Sequence, residues 1–147
     1  MRAPVETYAR QLSLPGFGEA EQRLLAKSTV LVAGVGGLGG ATATYLAAAG
    51  VGRLILIHPG RLERADLNRQ TLMTPSWLGR LRVHCAEATL RRHYPDVEVV
   101  GVPEPISAEQ TSPFLAQADV VVRPGPRLAE ATQVIVRCLQ GQKESGP

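Results

Sequence analysis

Short apolar runs alternate with amphipathic stretches along this chain. Residues 28–34, STVLVAG, form a β-branched run ending in glycine, which predicts a buried strand. RLILIHP, 53–59, reads as a second strand stopped by Pro59, and VEVVGV, 97–102, and DVVVRP, 119–124, as a third and fourth. Between them the pattern changes to helical. GEAEQRLLAK, 18–27, places acids first and bases last around a Leu-Leu pair, an order that suits the helix dipole. GLGGATATYLAAAG, 37–50, is Ala-rich and closes on Gly50 as a C-cap. A helical turn is expected at 66–72. A helix is expected over 76–95, ending before Pro95. Another is expected over 107–118, opened by a capping box from Ser107 to Gln110, and a last one over 127–141.

Strands alternating with helices predict right-handed crossovers, a mostly parallel Rossmann-like sheet and helices on both faces. No repeat or domain boundary interrupts the 147 residues, so the expectation is one domain over 1–147 with a helical extension over 1–27. Hydrophobic residues make up 44%, enough for a core, and aromatics only 4%, so that core rests on Val, Leu, Ile and Ala. The net charge of +3 comes from scattered arginines, which argues against a nucleic-acid surface. No apolar run reaches a membrane span and no signal-peptide pattern opens the chain. Cys85 and Cys138 form no C-x-x-C pair, so no zinc site is expected and both read as inert thiols. The expectation is a cytoplasmic protein with no membrane or nucleic-acid partner.

The chemistry concentrates after the first strand. Gly34, Gly36 and Gly39 make G-x-G-x-x-G between a strand and a helix, with Gly37 and Leu38 inside it. The first glycine permits the tight turn, the second lets a phosphate approach the backbone, and the third lets helix and sheet pack closely. The helix start offers N–H groups to an anion. A dinucleotide site would then present an acid at the end of the second strand; this chain has His58 there, and a neutral imidazole does not replace a bidentate carboxylate.

Several further stretches carry a resemblance. YARQ at 8–11 and onward, the glycine turn, AAAGVG, NRQ at 68–70 and YPDVEV together resemble the E1-like, ThiF-type superfamily, from about Tyr8 to about Val122. These are enzymes that adenylate ubiquitin-like proteins and sulfur carriers. The resemblance implies ATP and magnesium on the glycine turn. It implies that Arg10 reaches the triphosphate of the neighbouring subunit and that Arg69 and Gln70 lie beside the phosphates. Asp66 stands where the family has asparagine. The family's D-x-D at the strand end becomes His58 and Gly60, its lysine becomes Arg82, and the likeliest match to its magnesium aspartate is Pro126.

The first reading is therefore a truncated, degenerate E1-like protein that keeps the nucleotide-binding fold without competent adenylation. Its role would be pairing with itself, with an E1-like enzyme or with a ubiquitin-like carrier. ATP binding is expected to be weak, without a dependable magnesium site. The second reading is an active adenylyltransferase subunit completed by a partner chain. The third is an NAD or FAD binder. The site residues keep structural alternatives: Arg10 and Arg69 as salt-bridge residues, Gln70 as a turn cap, His58 as a strand-end histidine. Arg80, Arg82, Arg91 and Arg92 read as a solvated helix face; His84 and His93 stand too far apart for a paired metal site. A dimer is expected, because an exposed apolar sheet edge or helix face is avoided by monomers.

Overall fold

The computed structural model of the chain describes residues 5–107 and 109–123. The expected helix at 127–141, with Pro126 and Cys138, lies outside the described residues. A 3-10 turn at Val5–Tyr8 leads into α1 (Ala9–Leu12) and α2 (Glu19–Leu25). Then follow β1 (Thr29–Ala33), α3 (Gly37–Ala48), β2 (Arg53–Ile57), α4 (Arg82–His93), β3 (Glu98–Val102), α5 (Ser112–Gln117) and β4 (Val120–Val122). The strands form one parallel sheet in the order β3-β2-β1-β4, with Val30 opposite both Leu54 and Val120.

Both faces of the sheet are buried, as the near-continuous apolar runs require. Val30, Val32, Leu54, Leu56 and Val99 share a core with Ala43, Leu46 and Ala47 of α3 and Val83, Ala86 and Leu90 of α4. Leu31, Ile55, Ile57 and Val102 face the other way, against Ile106, Phe114 and Leu115. Each fully buried side chain of this size contributes about 1.5–3 kcal/mol. On the β3 edge, Gly101 admits α4: a Cβ there would stand 2.7 Å from Glu87 Oε2. Arg91 donates from Nε and Nη2 to the Val99 carbonyl at 3.0 and 2.6 Å, occupying a polar group of that edge.

The sequence order steps from β1 to β2 to β3 on one side, then returns to β4 on the other side of β1. Such a reversal opens a crevice at the carboxyl ends of the two strands where it occurs. β1 runs directly into the glycine turn at that point.

The far end of α3 is closed just as firmly. Gly50 N–H donates to Ala47 O and Val51 N–H to Leu46 O, at 3.0 and 3.2 Å, a Schellman closure. Gln11 and Gln22 both donate to Ala49 O, at 3.0 and 2.9 Å, and Gln11 also donates to Gln22 Oε1 at 2.8 Å. Tyr8 packs on Gly50, where an added Cβ would stand 2.7 Å from its hydroxyl. So YARQ and AAAGVG meet in space and bolt the N-terminal helices to the sheet.

Three expected elements differ. The helix at 76–95 begins only at Arg82, because residues 75–77 form a 3-10 turn, Gly79 takes a positive φ and Leu81 bridges to Arg61. The turn at 66–72 starts earlier, with a 3-10 turn at Arg64–Asp66, and continues with the Arg69 and Gln70 N–H groups both donating to Asp66 O. The helix at 107–118 is a 3-10 turn at Glu109–Thr111 followed by α5. Its N-cap is Thr111, with no side-chain cap bond, not Ser107; Pro113 stands in the first turn and lacks an N–H to place.

Candidate functional site

The turn between β1 and α3 is built by backbone bonds to β2. Gly34 has φ +102°, which bends the chain off the strand, and its N–H donates to Ile57 O at 2.7 Å. Gly36 is the N-cap of α3 in extended conformation, and a Cβ on it would meet nothing within 4 Å. Its face is open to an approaching group. The helix then starts, and Gly40 N–H already finds Gly36 O at 2.6 Å. The first-turn amides of Gly37, Leu38 and Gly39 have no intrahelical acceptor, so they form the anion-directed end of α3. Leu38 contributes its carbonyl to Thr42 Oγ1 at 2.9 Å. Gly39 is buried, and Gly37 lies close against Arg69. A Cβ there would stand 3.2 Å from Arg69 O and 3.3 Å from Arg69 Cβ.

Arg69 is thereby placed beside the turn. Its guanidinium bends back. Nη2 donates to Asp66 Oδ1 at 3.1 Å, and Nη1 to Ala65 O and Asn68 Oδ1 at 2.8 and 3.1 Å. Arg82 joins the same carboxylate, Nε to Asp66 Oδ2 at 2.9 Å, and Glu63 N–H donates to Oδ2 at 2.9 Å. Asp66 is 4% exposed and holds both arginines. The Glu63 amide first, then the two guanidiniums, hold its carboxyl below the usual range against the cost of burial. Sequence reasoning noticed Asp66 as a departure and missed its role; the signal was an acid four residues after Leu62 with two arginines spaced to reach it. Gln70 is buried, its N–H bonded to Asp66 O at 3.0 Å and its carbonyl to Met73 N–H at 3.0 Å.

His58 stands at the end of β2, where its N–H donates to Val102 O at 3.1 Å. Its Nδ1 accepts the Val35 N–H at 3.0 Å, and its Nε2 is buried without a partner. Burial first, then Arg82, lowers its pKa from 6.5, with Asp66 opposing. Two residues on, Gly60 has φ +88°, and a Cβ there would stand 3.4 Å from Arg82 Nη1. Arg10 is exposed on α1, at the end of α3 remote from the turn, about 18 Å away along twelve helical residues. Of the arginines expected on a solvated helix face, Arg82 is drawn in by Asp66 and Arg80 precedes the helix, while Arg91 and Arg92 are exposed on it. Among the described residues no group of three His, Cys, Asp or Glu could hold a metal ion. No helix among them is long and apolar enough to cross a membrane.

A profile of the ThiF family matches residues 8–143. The chain belongs to the ThiF family. This ThiF-family chain is 42% identical over 139 residues to the heterocyst HesA protein of Trichormus variabilis, covering 95% of this chain and 52% of that one. It is 41% identical over 120 residues to the adenylyltransferase and sulfurtransferase MOCS3 of Bos taurus, covering 82% and 26%. It thus spans about half the length of the HesA proteins it matches. Among solved structures, PaaA superposes with a TM-score of 0.73 at 24% identity, over 94% of this chain and 44% of that one. The E. coli MccB structure with ATP superposes with a TM-score of 0.63 at 25% identity, over 69% and 30%. The E1-like resemblance and the Rossmann-like fold are both confirmed.

Proposed function

We propose that this chain retains the nucleotide-binding turn of the ThiF family and acts as a non-catalytic binding or assembly partner in the activation of a ubiquitin-like or sulfur-carrier protein. The observation that carries this reading is the commitment of Asp66. Its two oxygens serve Arg69, Arg82 and the Glu63 amide, so the acid that stands where the resemblance has asparagine draws both arginines to itself and away from a phosphate. The position that the resemblance gives to magnesium, Pro126, lies outside the described residues. At the ribose position His58 supplies no carboxylate, and its Nδ1 is already bonded to Val35. Loss of a charged hydrogen bond costs about 1.5–3 kcal/mol, or about ten- to a hundredfold in affinity. What remains is the amide-lined start of α3.

The partner surface we propose is a second copy or an E1-like chain, with Arg10 approaching the neighbour's turn. Support comes from α1, which sets Arg10 in the open at the end of the molecule away from its own turn. A second reading, an adenylyltransferase subunit completed by another chain, is favoured by the 41% identity to MOCS3. Calorimetry with ATP, with and without magnesium, separates them. Weak binding indifferent to magnesium fits the first; tight, magnesium-dependent binding on adding a partner overturns it.

A further inference from the structure

The bond from Val35 to His58 fixes more than a side chain. Nδ1 accepts an N–H, so it must carry its lone pair, and in the neutral ring the proton then sits on Nε2. Val35 is itself the middle residue of the turn, fully buried between Gly34 and Gly36. The turn is therefore attached to β2 twice, by Gly34 N–H to Ile57 O and by Val35 N–H to the His58 ring. The first bond is backbone to backbone and available to any sequence. The second needs an acceptor at position 58.

We propose that His58 is a positioning residue for the glycine turn, acting only as the neutral, Nε2-protonated imidazole through the Val35 amide. Protonation of Nδ1 removes the acceptor and leaves the buried Val35 N–H without its partner, so the turn loosens as the ring becomes charged. The charged groups that face the ring are Arg82, which opposes its protonation, and Asp66, which favours it. Asp66 is paired to Arg82 and Arg69, so the surroundings hold the ring neutral. Where the superfamily is expected to have a carboxylate serving a nucleotide's ribose, this chain has an acceptor serving its own backbone. The bearing on nucleotide binding rests on the reading given above; the coupling of His58 to Val35 does not.

The test uses the full chain labelled with nitrogen-15. Long-range proton–nitrogen spectra at neutral pH should show His58 protonated at Nε2 and bare at Nδ1. The Val35 amide should move with the His58 titration, at a midpoint below 6.5. His58→Asn places Oδ1 where Nδ1 stands; it should keep Val35 protected and abolish the titration. His58→Phe fills the space without an acceptor and should speed Val35 exchange about fivefold or more, the factor a neutral hydrogen bond is worth. A ring protonated at Nδ1 at neutral pH, a Val35 amide indifferent to the titration, or full protection in the Phe variant overturns the proposal. If the Phe variant does not fold, the wild-type titration decides. Added ADP should shift the Gly36–Gly39 amides. If it does not while His58 and Val35 remain coupled, the nucleotide reading fails and this one stands.

Discussion

Gly34 and Gly36 belong to one motif and do different work. Gly34 has a positive φ of 102°, so Gly34→Ala should cost about 1–3 kcal/mol in thermal denaturation. Gly36 has ordinary backbone angles and open space around a Cβ, so Gly36→Ala should cost within about 1 kcal/mol. If the turn takes a phosphate as proposed, the Ala methyl would stand in its path, and calorimetry should show weaker ATP or phosphate binding. Equal stability losses in the two variants would contradict this division. Asp66→Asn keeps the shape and loses the charge that pairs Arg69 and Arg82; it should cost about 1.5–3 kcal/mol. The pH dependence has two windows of known sign. His58 has a lowered folded pKa, so the unfolded chain binds the proton first. Its contribution is full above 6.5 and is lost as pH falls from there towards the folded value. Asp66 is likewise lowered, and its contribution is full above 3.8 and is lost as pH falls through its folded value. The stability measured by denaturant melts should therefore fall more between pH 7 and 5 for the wild type than for His58→Asn.

At the scale of elements, apolar runs and glycines made the central sheet and α3 legible. β1, β2 and β3 match their expected runs to within a residue or two, because each sends apolar side chains to both faces of the sheet. The start of α4 was not legible. Residues 76–81 have helical spacing, yet Leu62 pairs with them through Gly79 and Arg80, a long-range contact that periodicity does not encode. Nor was the union of YARQ with the end of α3, since residues 8–11 and 49–50 meet only in three dimensions. That union predicts that Gln11→Ala, far from the glycine turn, lowers stability by about 1–2 kcal/mol through two lost hydrogen bonds. Gly52→Ala should be worse, because its Cβ would land on the Ala26 carbonyl. A thermal melt in which Gln11→Ala matches the wild type would show that the N-terminal helices are not bolted on.

For the whole molecule, the sheet order places the glycine turn at the crevice, and the chain's own charged groups settle around it. Of the candidate residues, Arg69, Gln70, Arg82 and His58 do lie around the turn or the Asp66 cluster next to it, while Arg10 stands at the opposite end. What the sequence concealed was that Asp66 binds the arginines inward, a fact of geometry rather than of motif. If Arg10 serves a neighbour, the chain should sediment as a dimer at micromolar concentration; a clean monomer by light scattering would contradict the pairing. His58→Asp should improve ATP affinity, whereas Gly60→Asp meets a positive φ of 88° and should cost stability instead. On the proposed function the turn is kept and adenylation by this chain is not. Magnesium-dependent pyrophosphate–ATP exchange, with carriers ending in Gly-Gly, measures it most directly. The account predicts exchange at background for the purified chain; exchange that rises with enzyme and carrier concentration would contradict it.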